Sequence, residues 1–398
     1  MTASAAQRPA IPTGWRILEL SPRDDYFEIW NRIREESRVR DASEGVFLVS
    51  GWEEVNAVLR NPTLKAGSGV SEAFGGAGGP VESVVRNWLM SLNGDEHRRA
   101  RGLVSRLFAP KAVAELEPSI RAAVRRLVGP FVDAAKRVPA DFVAMVSTAL
   151  PSEVIRALFA IEPTEWTAHV EPLFRGAAAD AADGFAAVQG LAPYFRDKIR
   201  ASRDRPMGGV VDQLRAEDRE GNCLTEAEVI ANSVLIVTAA IDTTAGLIAN
   251  TLYSLLLDPD AMARVRSDTS LIPGAVDESL RHCPSAPSTT RSAPADLELG
   301  DCRIPAGSDL FLSLAAANRD PRKFTDPDRF DVGRDASALL TFGGGAHFCL
   351  GAALARLEAR IAFEELLAAG GDFALRAPVS WRTNNPSVRA PKTLMVSC

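Results

Sequence analysis

The hydrophobic pattern of the chain is dominated by one long apolar run, Val229 to Leu257. It is broken by Asn232, Ser233, Asp242, Thr243, Thr244, Asn250 and Tyr253, so it lacks the continuous apolar character of a membrane span. The run predicts a helix buried through the middle of a globule. Thr225 followed by Glu228 forms a capping-box pattern at its start, and Asp258-Pro259 stops it. Helical spacing recurs over Ala352–Leu367 and Pro273–His282, while alternation near Gly45–Ser50, Asp296–Ile304 and Asp309–Leu314 predicts short strands. Six glycines between Gly67 and Pro80 predict a mobile loop, and the first dozen residues read as flexible. No linker or repeat divides the chain. The expectation is one domain over residues 1–398, mainly α with small β-sheets.

Composition narrows the function classes. Of the 398 residues 46% are hydrophobic, enough for a large core, and a formal charge of −6 argues against a general nucleic-acid binder. Five cysteines without a CxxC pair fit neither a disulfide framework nor a zinc site, which predicts reduced thiols in the cytoplasm. Met1–Ile17 lacks an apolar core of signal-peptide type, so no membrane anchor is expected there.

Candidate chemistry concentrates in three places. Phe342-Gly343-Gly344-Gly345-Ala346-His347-Phe348-Cys349-Leu350-Gly351 is a glycine-rich loop that brings one cysteine to a helix start. Unpaired N–H groups there favour thiolate over thiol, and glycines let backbone approach a flat, bulky group. A lone thiolate so placed suits an axial haem ligand; a buried structural cysteine is the plainer alternative. In the apolar helix, Asp242 and Thr243 put an acid beside an alcohol, a costly arrangement in a core unless paired or functional. A threonine there can bond the carbonyl four residues back and open the ladder. Glu278 and Arg281 share a helix face at a spacing of three, which alone is usually an exposed ion pair of small value.

Taken in order, these motifs resemble the cytochromes P450, from roughly Gly94 to the C-terminus. Cys349 matches the haem-ligand cysteine, with Phe342, Gly343, Gly345, His347 and Gly351 matching its loop. Asp242 and Thr243 match the acid–alcohol pair of the oxygen-activating helix, with Ala240 where glycine is more usual. Glu278 and Arg281 match the ExxR pair and Arg334 its third member, after Ala317-Asn318-Arg319-Asp320-Pro321, Phe324, Pro327 and Phe330. His97 and Arg101 match an HxxxR helix, and Arg291 the arginine of the strand after ExxR. With His347 these are the expected partners of the haem propionates, and Phe342 and Gly343 are further expected cofactor contacts.

The resemblance implies a helical prism enclosing haem b. It also implies O2 activation at the iron, electrons from NAD(P)H through ferredoxin reductase and ferredoxin, and monooxygenation. Oxidative coupling or desaturation by the same oxidant, and a haem-thiolate sensor or carrier, are the alternatives. Expected substrate contacts are Trp88, Leu235, Thr238, Ala239, Pro287 and Thr289, with Phe74, Met90 and Leu92 as further wall candidates and Leu173–Tyr194, including Phe185, as a lid. The set favours a medium-sized, largely apolar small molecule. Arg98, Arg99, Arg101, Arg106 and Lys111, with Arg319, Arg322, Lys323, Arg356 and Arg360, predict a basic face for an acidic ferredoxin.

Overall fold

The computed structural model describes residues 11–67, 80–170, 181–383 and 387–398. The flexible start up to residue 10, the glycine-rich loop with Phe74, the lid residues 173–180 and the side chain of Phe185 lie outside the described residues. The architecture is mainly helical with small sheets, as expected.

The central element is the helix Glu226–Leu257. Thr225 Oγ1 accepts from the Glu228 N–H at 3.3 Å while the Glu228 carboxylate accepts from the Thr225 N–H at 2.8 Å, so two orphan donors of the first turn are satisfied reciprocally. The helix is long and apolar enough to cross a membrane, but 67% of its apolar window is buried inside the fold, which marks it as a core helix.

Its two halves serve different cores. Val229–Ile241 packs with Val104, Ile155, Phe159, Phe195 and Leu214. Leu247–Leu255 packs with Val128, Phe131, Ile272, Leu354 and Phe363. Asp242, Thr243 and Thr244 fall at the seam, where neither apolar cluster claims them. Helices Ile272–His282 and Ala352–Ala368, both close to their predicted bounds, pack on the second half.

A four-stranded sheet runs in the order Val39–Asp41, Val46–Val49, Asp309–Ser313, Ser288–Ser292. The middle pair is parallel and both outer pairs are antiparallel, with Arg291 opposite Leu310. The alternation around 296–304 is a hairpin, Leu297–Leu299 with Cys302–Ile304. Ser288–Ser292 has no apolar alternation, because it is an edge strand whose side chains face a cavity instead of a core.

Candidate active site

A cavity of about 400 Å³ opens between the cysteine loop and the seam of the long helix. Cys349, Phe342 and Gly343 line one side, and Leu235, Ala239, Ala240 and Thr243 line another. His97, Arg101, Arg291 and His347 complete the wall.

The loop is shaped by two left-handed glycines, Gly343 at φ +73° and Gly345 at φ +61°. The Cys349 N–H donates to the Phe342 carbonyl at 2.9 Å and closes it. Close backbone approach is used in a way the spacing does not reveal. A Cβ on Gly345 would sit 2.7 Å from the carbonyl oxygen of Leu59, so that glycine clears room for the helix Trp52–Arg60, while Gly343 faces the cavity. The exposed surface of Cys349 lines the cavity. Burial among protein groups pushes its thiol up, while the Gly351 N–H, the guanidinium groups of Arg101 and Arg356, and the Ala352 N–H pull it back toward thiolate.

A chain of buried polar contacts fixes the loop to the fold. Arg281 and Glu278, both 0% exposed, pair through two bonds of 2.8 Å. Arg334 Nε reaches Glu278 at 3.1 Å and the Asp331 N–H donates to it at 2.9 Å. Arg281 Nη1 also donates to the carbonyls of Asn318 and Pro327, each at 2.8 Å. Asn318 in turn holds Thr341 Oγ1 at 2.7 Å and accepts from the Leu340 N–H at 2.7 Å, directly ahead of Phe342. The ion-pair knot thus reaches the cysteine loop in two steps.

Four basic side chains converge there, with no carboxylate paired to them among the described residues. His97 is 3% exposed, its Nε2 has no partner among the described residues, and its ring lies 4.1 Å from that of His347. Arg101 Nη2 donates to the Phe348 carbonyl at 2.5 Å and Arg291 Nη1 to the Thr290 carbonyl at 2.7 Å, with no carboxylate paired to either among the described residues. Burial, then the neighbouring charges of His97, Arg291 and Arg101, push His347 down to about 3. Arg291, 5% exposed and without a counter-charge among the described residues, is costly to bury. A flat group carrying carboxylates beside Cys349 would relieve that cost, so these residues fit haem.

On the opposite side, Thr243 Oγ1 donates to the Ala239 carbonyl at 2.7 Å, the back-bond expected of a helical threonine. Asp242 is not the isolated group its apolar flanks suggest. It lies off the cavity wall and pairs with Arg382 at 3.0 Å, and Arg382 also donates to Thr148 Oγ1 at 3.4 Å.

Of the expected wall residues, Leu235, Ala239, Thr289 and Met90 line the cavity. Trp88, Thr238, Pro287 and Leu92 do not. Trp88 is buried in the core that packs on the first half of the long helix, with Leu92 against it, and the following Leu89 and Met90 turn to the cavity. Positions 235, 239 and 243 share a helix face; Thr238 is rotated from it and its hydroxyl donates to the Val234 carbonyl at 3.0 Å. The Pro287 carbonyl accepts from the Ala315 N–H at 3.0 Å, anchoring the turn before the strand. Glu358, Ser285, Asn232 and Thr244 also line the cavity. Glu358 is nine residues past Cys349, yet nothing in its local pattern separates it from Glu364 and Glu365, the ion-paired acids further along that helix.

The expected basic face is largely neutralised. Arg98 pairs with Asp95 at 2.8 Å, Arg99 with Glu228, Arg322 with Asp320 at 2.6 Å and Arg356 with Asp277 at 2.6 Å. Arg360 pairs with Glu117 at 2.9 Å and Glu364 at 2.6 Å, and Arg319 is buried against Asp328. Arg106 donates to the Ala216 carbonyl at 3.1 Å, and Lys323 lies over the Trp52 ring. Distant acids, Glu228, Asp277 and Glu117, join the nearby ones as partners, so the local run of arginines overstates the surface charge.

A mainly helical fold with a lone cysteine at a helix mouth, facing a helical threonine across a pocket lined by four basic side chains, defines a haem-thiolate oxygenase. The cytochrome P450 family model matches residues 189–369. The chain is 34% identical over 394 residues to the cytochrome P450 monooxygenase PikC of Streptomyces venezuelae, covering 94% of this chain and 91% of that protein. It is 34% identical to the cyclomarin C epoxidase CymV of Salinispora arenicola, covering 78% and 80% respectively. The solved structure of CYP109Q5 from Chondromyces apiculatus superposes with a TM-score of 0.84 at 31% identity, covering 96% of each chain. The chain belongs to the cytochrome P450 family, among bacterial members, and is a monooxygenase of the oxidoreductase class.

Proposed function

We propose that this protein hydroxylates or epoxidises a medium-sized, largely apolar small molecule in secondary metabolism or catabolism. The observation that carries the reading is the cavity itself. Cys349 and Thr243 both line it, and between them the wall is mainly Leu235, Ile236, Ala239, Ala240 and Leu247, with hydroxyls from Ser288, Thr289 and Thr290. The bases on the cavity lining, His97, Arg101, Arg291 and His347, are assigned to the propionates, which leaves apolar groups and hydroxyls to meet the substrate. PikC is named as a monooxygenase and CymV as an epoxidase of cyclomarin C, which supports hydroxylation or epoxidation as the reaction. We assign electron supply to NAD(P)H through ferredoxin reductase and ferredoxin, the whole chain working as one unit in the cytoplasm.

Haem supplies, when bound, the redox chemistry that activates dioxygen. The chain contributes the rest. Cys349 offers its sulfur as ligand, drawn toward thiolate by the Gly351 and Ala352 N–H groups. His97, Arg101, Arg291 and His347 would hold the propionates. Thr243 exchanges its bond to the Ala239 carbonyl for one into the cavity and there passes a proton. Asp242, once it lets go of Arg382, takes a proton from solvent at its carboxylate and hands it to the Thr243 hydroxyl. The apolar walls exclude bulk water.

The test is reconstitution with a ferredoxin, its reductase and NADPH, screening a small-molecule library by the low-spin to high-spin shift. A hit that is oxidised with matching NADPH use is expected. The reduced, CO-bound protein should show the thiolate-type Soret band, and Cys349→Ala should lose it. A Cys349→Ala protein that keeps the band, or an enzyme that oxidises nothing that shifts its spin state, overturns the assignment.

A further inference from the structure

We propose that Ser285 is a positioning residue for the proton-delivery turn of the long helix, its hydroxyl holding the carbonyl of Thr243. The inference rests on the role assigned to Thr243 above. Ser285 lies in the turn between the helix Ile272–His282 and the strand Ser288–Ser292, is 3% exposed, and lines the cavity. Its Oγ donates to the Thr243 carbonyl at 2.7 Å. In an α-helix that carbonyl already serves the N–H four residues on, and its second lone pair takes a further donor from outside, so Ser285 adds a bond that ties this turn to the rest of the fold.

The same turn carries a second such contact. Thr243 Oγ1 donates to the Ala239 carbonyl, and Ala239 and Thr243 lie one turn apart on the cavity face. Two successive carbonyls on that face therefore each take a hydroxyl donor in addition to the helix ladder. The outer donor, Ser285, sets where the inner one can sit. A helix held only by its own ladder would present Thr243 through thermal bending; one held by Ser285 presents it in one place.

Ser285 is itself placed from three directions. A Cβ built on Gly246 would lie 2.7 Å from the Ser285 Cβ and 3.2 Å from the Ala390 Cβ, so the turn presses onto the helix where only glycine leaves room. The Arg389 N–H donates to the Ser285 carbonyl at 2.9 Å. Asn250, fully buried, donates through Nδ2 to the carbonyls of Cys283 at 2.9 Å and Arg389 at 3.0 Å. The C-terminal segment that steadies Ser285 also carries the partner of the acid: the Arg382 N–H donates to the Ala390 carbonyl at 2.9 Å, and Arg382 pairs with Asp242. Acid and alcohol are thus held by one external frame. Ser285 is the member of that frame that reaches the alcohol's own peptide group.

The experiment compares the holoenzyme with its Ser285→Ala and Thr243→Ala variants by two readouts. Amide hydrogen exchange over residues 243–250 should quicken about two- to tenfold in Ser285→Ala, the scale of one lost hydrogen bond, with residues 226–236 unchanged. With NADPH, ferredoxin, reductase and 7-ethoxycoumarin as probe, the hydrogen peroxide released per NADPH should rise in both variants. The CO spectrum of Ser285→Ala should match the parent. Unchanged exchange in Ser285→Ala overturns the clamp. Faster exchange with the parent's peroxide yield reduces Ser285 to a packing residue and overturns the positioning role. A Thr243→Ala enzyme with the parent's peroxide yield overturns the Thr243 reading and the proposal with it, whereas a normal yield in Ser285→Ala alone leaves Thr243 standing.

Discussion

Glu358 gives the sharpest test of the physical reading, because its carboxyl is buried with no cation paired to it among the described residues. It is 2% exposed on the helix after Cys349, Oε2 has no hydrogen-bond partner among the described residues, and burial pushes the group up from 4.5 to about 8. Between those values the folded protein holds a proton that the unfolded chain has released. Stability therefore falls as pH rises through that window, and the loss is complete above about 8. A gap of about 3.5 pH units corresponds to roughly 5 kcal/mol. Glu358→Gln removes the titration and keeps the shape. Its buried amide costs about 1–3 kcal/mol if unpaired, but that cost does not vary with pH. The variant's stability relative to the parent should thus climb by roughly 1.4 kcal/mol per pH unit between pH 5 and 8, then level off. Urea titrations of both holoproteins, followed by tryptophan emission across that range, measure it, and subtraction cancels every other titrating group. A difference that stays constant from pH 5 to 8 would mean that Glu358 ionises normally in the fold, refuting the burial argument.

Two further outcomes follow from buried polar groups. Glu278→Ala leaves the fully buried Arg281 without its acid and should cost about 3–5 kcal/mol, seen as a large fall in the urea midpoint and in haem retained after expression; wild-type haem content would contradict the path from Glu278 through Asn318 to the loop. Thr225→Ala breaks the capping box and should lower stability by about 0.5–2 kcal/mol with the CO spectrum unchanged, and an unshifted unfolding midpoint would show that Glu228 caps the helix alone.

What could be read along the chain was whatever depends on neighbours in sequence. The capping box at Thr225 and Glu228, the three-residue spacing of Glu278 and Arg281 and the glycine-rich loop before Cys349 are local geometry, set by backbone periodicity and sterics. Their order also carried the family resemblance, and through it the helical class and the haem site. Only the tertiary structure decided which side chains those elements meet. Asp242 reads as isolated until Arg382, 140 residues away, folds against it. The arginines near residue 98 and around Cys349 read as a basic face until Glu228, Glu117, Glu364 and Asp277 pair with them. Trp88 and Thr238 read as wall residues until helix rotation and core packing turn them away. Glu358 and Ser285 carry no signal at all in their own windows, because burial and a hydrogen bond to Thr243 belong to the surroundings and not to the residue. Periodicity is a property of the chain, whereas desolvation and pairing are properties of the packed whole, and those two terms set the charges and contacts within this site.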